Sequence, residues 1–300
     1  MMRKSIAVIG LGAMGGAMAG TLHRAGWRVS GYDPVAEARG HAEAAGVRTV
    51  ESLESLAAVT YAVLSLPNAG AVRETIPRLL AIPGLHGIVD TTTSEPSTSR
   101  DMALVTREQG IGFIDAPVSG GRLGASTGRL SAFVGGSEQA VETCRPVLEA
   151  LTGGQYQHLG GPGAGNVVKL INNALAAANL ATVGEALAIA RAWGIDPAAA
   201  ASGVSAASGG SRASSVMYPD WVLSGSYDSG FTMELMARDV ALAIDVAAEV
   251  GESPRLLAAT NALWQASLAD LGPASDFTEI ARTVAPELAV DVSTNQEDKA

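Results

Sequence analysis

Short runs of Val, Ile and other apolar residues recur through the first half of the chain, separated by longer amphipathic stretches. Residues 5–10 (SIAVIG), 28–33 (RVSGYD), 61–67 (YAVLSLP), 87–92 (GIVDTT) and 111–117 (IGFIDAP) read as strands, and 130–136 (LSAFVGG) adds another. Helical periodicity lies between them, for example at 35–45 and 97–109, and again at 137–151. Strands that alternate with helices predict βαβ units and a parallel sheet. After Gly163 the strand pattern gives way. Residues 164–194 read as one long helix, ended by Gly194 with Pro197 soon after. Helical patterns follow at 196–206, 232–250, 253–270 and 275–284. The turn-rich cluster GGPGAG at 160–165 marks the division. The expectation is an α/β N-terminal domain over 1–162 and an all-α domain over 163–288, joined by the long helix. The polar residues 289–300 are expected to form a disordered tail.

Composition narrows the class. Of 300 residues, 47% are hydrophobic, enough for two domains with a sizeable core. The net charge of −10 argues against a nucleic-acid partner, which asks for a basic patch. Cys144 is the sole cysteine, so no internal disulfide forms and a reducing cytoplasm is the expected compartment. Arg3 and Lys4 before an apolar stretch imitate a secretory signal, but Gly10, Gly12, Gly15 and Gly16 interrupt that stretch. The Ala/Leu-rich span 174–190 contains Asn179, Thr182 and Glu185, and reads as too short and too polar for a bilayer. His23, His41, His86 and His158 are isolated, and no His/Cys/Asp/Glu spacing suits a metal, so none is expected.

The chemistry begins at IGLGAMGGAM. Gly10, Gly12 and Gly15 give G-x-G-x-x-G after a strand and at the start of a helix. The first glycine allows a tight turn, the second a close pyrophosphate, the third close packing of helix on strand. The helix N-terminus supplies N–H groups and a positive dipole end. Asp33 ends the second strand, where a carboxylate accepts from ribose hydroxyls and repels a 2′-phosphate. A Rossmann-type domain binding NAD(H), with NADP(H) left open, is the reading. A plain strand-end turn is the other account of Asp33.

The segment GAGNVVKLINNAL, 163–175, puts an ammonium and carboxamides into the most apolar helix. Asn166, Lys169 and Asn173 lie at i, i+3 and i+7 and share one side, while Val168, Ile171 and Leu175 face elsewhere. The pattern reads as a narrow polar stripe on a helix that is otherwise core. A buried ammonium is expensive unless it faces a polar cleft. A lysine snorkelling from the first turn is the alternative.

Six motifs in register resemble the β-hydroxyacid dehydrogenases, a family that includes 3-hydroxyisobutyrate dehydrogenase and tartronate semialdehyde reductase. They are GLGAMGGAMAGTL, LPNAGAV (66–72), DTTTSEP (90–96), DAPVSGGRLGA (115–125), GAGNVVKLINN, and FTMELMARDVALA (231–243), the last with Arg238 where the family usually has lysine; DFTEIA (276–281) fits the closing helix. The resemblance covers about residues 5–284. It implies NAD(P)-dependent interconversion of a small β-hydroxy acid and its semialdehyde or keto form. It assigns Lys169 as general acid/base, tuned towards neutrality by apolar surroundings, and Asn173 as the residue aligning substrate and lysine. A structural hydrogen bond suits Asn172 at least as well as a site role. Ser119, Gly120 and Gly121 would hold a carboxylate. Gly10, Leu11, Gly12, Ala13, Met14, Gly15, Asp33, Leu66, Pro67, Asn68 and Thr93 would hold the cofactor, and Arg238 the cofactor or a second oxygen-rich group on the substrate; Arg122 either adds to that second site or points to solvent. Ser208–Arg212, Trp221 and Arg238 are candidates for specificity. The family implies a homodimer or homotetramer; charge and composition, as above, lead us to expect no nucleic-acid or membrane partner. An imine reductase shares the architecture but usually lacks this lysine. A 6-phosphogluconate enzyme needs a longer C-terminal part. Non-catalytic, nucleosome-associated relatives replace the lysine.

Overall fold

The computed structural model describes residues 5–289; the stretch 290–300 of the expected tail, and Arg3 and Lys4, lie outside the described residues. The chain divides into two compact units, one up to Lys169 and one from Leu170 on. The division falls inside the long helix, seven residues beyond the expected boundary between 162 and 163.

The first unit is a doubly wound sheet. Its strands are β1 (Ser5–Ile9), β2 (Arg28–Tyr32), β3 (Arg48–Val50), β4 (Tyr61–Leu64), β5 (Gly87–Asp90), β6 (Gly112–Asp115), β7 (Val118–Ser119), β8 (Ser131–Gly135) and β9 (Tyr156–Gly160). The order is β3-β2-β1-β4-β5-β6-β8-β7, with β9 beside β8. β1 to β6 are parallel; β8 runs antiparallel to β6 and β7. The helices are α1 (Ala13–Arg24), α2 (Ala36–Ala44), α3 (Ala69–Leu79), α4 (Pro96–Glu108), α5 (Gly121–Thr127) and α6 (Glu138–Thr152). Alternate residues of each strand face opposite sides of a sheet. Ile6, Val8, Val63, Val89 and Ile114 therefore pack with α1 and α6, through Met18, Leu22, Val147 and Leu148. Ala7, Ile9, Ala62, Leu64, Ile88 and Phe113 pack on the other face with Val72 and Ile76 of α3. Every residue of β1 and β5 is buried, the signature of parallel strands covered on both sides.

The second unit is helical: α7 (Ala164–Ala192, entering from the first unit), α8 (Pro197–Ser205), a π-helix (Ala213–Val222), α9 (Met233–Glu249), α10 (Arg255–Leu271), a 3₁₀ turn (Phe277–Ile280) and α11 (Ala281–Val284). Trp264 stacks on Phe277 at 6.4 Å, and Trp221 and Phe231 meet the same ring edge-on. By length and composition α7 is long and apolar enough to cross a bilayer, which the span 174–190 alone does not suggest. Its buried Ala177, Leu180 and Leu187 belong to the core of this unit.

The structure corrects the sequence reading at several elements. β3, β7 and β9 escape it because they are two to five residues long, and β9 is largely exposed. The helix expected over 275–284 is a 3₁₀ turn followed by a single α turn. Outside its polar stripe α7 is not all core: Asn166, Lys169 and Asn173 are buried, as are Leu170 and Ala174, whereas Ile171 and Leu175 are about half exposed.

Candidate active site

The sheet order reverses direction between β1 and β4, and in open parallel sheets ligands bind at the carboxyl ends of strands at such a point. The candidate cofactor residues follow the carboxyl ends of neighbouring parallel strands: Gly10–Gly15 after β1, Asp33 after β2, Leu66–Asn68 after β4, Thr93 after β5. Gly10 has φ +88°, and a Cβ there would lie 2.1 Å from the Ser65 carbonyl oxygen. A Cβ on Gly15 would lie 1.8 Å from the Gly10 oxygen. A Cβ on Gly12 would meet no protein atom within 4 Å. Gly10 and Gly15 are thus fixed by the fold, while Gly12 leaves a cradle open beside the start of α1. No side chain caps α1, so its first-turn N–H groups suit a pyrophosphate.

Asp33 is buried and accepts from Leu11 N–H at 2.7 Å and Val35 N–H at 2.8 Å. A carboxylate has about four acceptor sites, so two bonds leave capacity for ribose hydroxyls. The Leu11 N–H itself is committed to Asp33. Arg39 donates to the Asp33 and Pro34 carbonyls at 2.8 and 3.2 Å, placing a cation beside the same turn. Asn68 caps α3 by accepting Ala71 N–H at 3.0 Å, and Leu66 N–H donates to Thr92 Oγ1 at 3.0 Å. Leu66 and Thr93 are half-buried, while Pro67 and Asn68 are exposed. Ser119 ends β7, and the next two residues take left-handed φ values, Gly120 +118° and Gly121 +59°. A Cβ on Gly121 would meet nothing within 4 Å, which leaves space for an anion at this turn.

Lys169 belongs to the same unit and is 9% exposed. Its helix starts against the sheet. Asp115, at the end of β6, accepts Gly163 N–H at 2.7 Å and Asn166 N–H at 2.9 Å. Asn166 accepts Ser94 N–H and donates to Ser99 Oγ, both at 3.0 Å. Asp115 faces Asp90 in register on β5, and both are fully buried. Desolvation pushes the Asp90 carboxyl up to about 7 against the opposing pull of Thr92 hydrogen bonds, and burial raises Asp115 as well. Both Asp115 oxygens accept N–H bonds, which favour its carboxylate form, whereas Asp90 Oδ2 has no partner among the described residues.

In the second unit Asn173 and Arg238 converge on Asp239, which is 1% exposed. Asn173 Nδ2 donates to Asp239 Oδ2 at 2.7 Å, and Arg238 Nε and Nη2 donate to Oδ1 at 3.0 and 2.7 Å. Asn172 Nδ2 donates to Asn173 Oδ1 at 3.1 Å, a structural bond. Among the described residues no group of three or more His, Cys, Asp or Glu side chains is placed to hold a metal.

Comparison with known proteins supplies the family. Residues 5–160 match the model described as the NAD-binding domain of 6-phosphogluconate dehydrogenase. Residues 163–284 match that of the NAD-binding region of NADP-dependent 3-hydroxyisobutyrate dehydrogenase. The chain belongs to the β-hydroxyacid dehydrogenase family. Among its relatives, 2-(hydroxymethyl)glutarate dehydrogenase of Eubacterium barkeri is 37% identical over 83% of this chain and 84% of that protein. The NAD-dependent L-serine dehydrogenase of Pseudomonas aeruginosa is 33% identical over 94% and 98%. The Mycobacterium tuberculosis 3-hydroxyisobutyrate dehydrogenase solved with L-serine superposes with TM-score 0.85 at 30% identity, covering 94% of this chain and 99% of that one. As a β-hydroxyacid dehydrogenase the chain is an NAD(P)-dependent oxidoreductase.

Within this β-hydroxyacid dehydrogenase the motif glycines, Asp33, Thr93, Ser119–Gly121 and Lys169 lie in the first unit, Asn173 and Arg238 in the second. Asp90, Asp115 and Asp239 are not among the site residues expected from the sequence, although each stands in one of the family motifs. The available signal is an Asp closing an otherwise apolar strand, as in GIVD and GFID.

Proposed function

We propose that the enzyme oxidises a small β-hydroxy acid of the form HOCH₂–CH(R)–CO₂⁻ with NAD⁺, reversibly, using Lys169 as general base in oxidation and general acid in reduction. The names of three relatives, acting on 2-(hydroxymethyl)glutarate, L-serine and 3-hydroxyisobutyrate, share this core and differ in R. The observation that carries the mechanism is the burial of Lys169 in the unit that also holds the dinucleotide motif. Desolvation disfavours the ammonium, so the amine can take the hydroxyl proton while hydride passes to nicotinamide C4. Ser119 with the Gly120–Gly121 turn holds the substrate carboxylate, since a Cβ at Gly121 would occupy that space. Asp33 gives NAD(H) the advantage over NADP(H), and Arg39 beside it keeps the 2′-phosphate form within reach. Arg238 and Asn173 act through Asp239. A homodimer or homotetramer in the cytoplasm completes the reading.

The test is turnover of Lys169→Ala. We expect a loss of about 10²-fold or more in kcat, with NADH binding retained. Near-normal turnover would make the lysine structural. For the cofactor, fluorescence titration should show tighter NADH than NADPH binding, with the gap narrowed in Asp33→Ala; equal binding by the unaltered enzyme removes Asp33 as the selector.

A further inference from the structure

We propose that Asp115 is the positioning residue for Lys169, holding the first turn of α7 against the sheet so that the amine is presented at a fixed place. The proposal rests on the lysine mechanism above and adds a residue to it. Asp115 touches neither cofactor nor substrate in this scheme. Its carboxylate accepts the Gly163 and Asn166 N–H groups, which belong to the set of donors that a helix leaves unpaired at its start. The negative charge also complements the positive end of the α7 dipole.

The backbone packs closely on the carboxylate. A Cβ on Gly135 would lie 2.5 Å from Asp115 Oδ1, and one on Gly165 would lie 2.9 Å from Oδ2 and 2.3 Å from the Phe133 oxygen. A Cβ on Gly163 would lie 2.8 Å from the Pro96 oxygen. Three glycines thus let strand, turn and helix close around one carboxylate. Asn166 fixes the rotation of that turn about the helix axis through Ser94 and Ser99. Lys169 follows Asn166 by three residues, on the same side of the helix. Rotation or slippage of the turn would move the amine directly, and a displacement near 1 Å at a reacting group can cost about a hundredfold in rate.

Asp115→Asn keeps the size but offers one acceptor and a donor where two N–H groups point inwards. The decisive experiment is a double-mutant cycle with Lys169→Ala, read in kcat, KM and NADH affinity. We expect Asp115→Asn to lower kcat by about tenfold to a hundredfold, with KM and NADH affinity changed by less than about twofold. In the Lys169→Ala background the same substitution should change the residual turnover by less than about twofold, because the group being positioned is gone. An equal factor in both backgrounds, or an unchanged kcat in the first, overturns the positioning role. Near-normal turnover of Lys169→Ala alone overturns the lysine mechanism and this inference with it. If Asp115→Asn does not fold, Ser99→Ala, which removes only the acceptor of the Asn166 amide, enters the same cycle with a smaller loss expected under the same criteria.

Discussion

Gly12 and its two neighbours in the motif answer to different demands. Gly10 and Gly15 have no room for a Cβ, and Gly10 also needs a left-handed backbone. Gly12, at φ −61°, has both the room and an ordinary conformation. Gly12→Ala should therefore fold with a melting temperature close to that of the unaltered enzyme and bind NADH poorly, whereas Gly10→Ala should lose the fold; thermal melts and NADH titration together check this. An unfolded Gly12→Ala would mean that the fold, not the pyrophosphate, requires this glycine. Asp90 makes a prediction in pH. Its carboxyl titrates at about 7 in the folded chain against 3.8 when unperturbed. Between those values the unfolded state holds fewer protons, so this group lowers stability as pH rises from about 4 to about 7, and the deficit persists above. Asp90→Asn mimics the protonated form and should be near neutral at about pH 4 and stabilising by about 1 kcal/mol or more at about pH 8. Denaturant melts at the two pH values decide it; a variant destabilised equally at both contradicts the buried acid. The chemistry of Gly12 was legible in the sequence because a motif carries its own spacing. The partnership of Asp115 with Gly163 and Asn166 was not, because some fifty residues separate groups that only the folded sheet brings together.

At the scale of elements, α7 shows how packing overrides propensity. A glycine inside an exposed helix costs about 1 kcal/mol relative to alanine. Gly184 is buried, and a Cβ there would lie 2.0 Å from Tyr218 Oη and 2.8 Å from a Val284 methyl. Tyr218 is fully buried and cannot swing outwards. Gly184→Ala should therefore destabilise the protein, against the propensity scale, by about 1–3 kcal/mol; a gain in denaturant midpoint would show that the Tyr218 ring has slack. Tyr218 sits in the π-helix, whose wide turn is visible in the bond from Leu223 N–H to the Tyr218 carbonyl at 2.8 Å. Pro219 follows it and supplies no N–H to the helical ladder, which is the local cause we assign to the widened turn. Periodicity gave the long elements α4, α6, α7, α9 and α10 to within a residue or two. It missed β7 and β9, where two residues or an exposed edge carry no apolar alternation, and it could not foresee a π turn, which has no periodicity of its own at that length.

For the whole molecule, the two units divide the candidate machinery unequally. The dinucleotide motif, the Ser119–Gly121 turn and Lys169 belong to one unit, and Asp239 with its two partners belongs to the other. The family was legible from six motifs in order, because each is a short local solution to a chemical demand. The exposure of Ile171 and Leu175 on α7 was not, since an apolar residue on a helix reads as core whatever covers it. The central claim is direct hydride transfer between the hydroxyl-bearing carbon of a β-hydroxy acid and the nicotinamide. The measurement closest to it uses a substrate of the form HOCD₂–CH(R)–CO₂⁻, with R varied across a small panel, and locates the deuterium after turnover with NAD⁺. The account predicts deuterium at C4 of the reduced nicotinamide, one atom per turnover, and one retained in the aldehyde product. Deuterium appearing in water, or NADH formed without label from an accepted substrate, would contradict it.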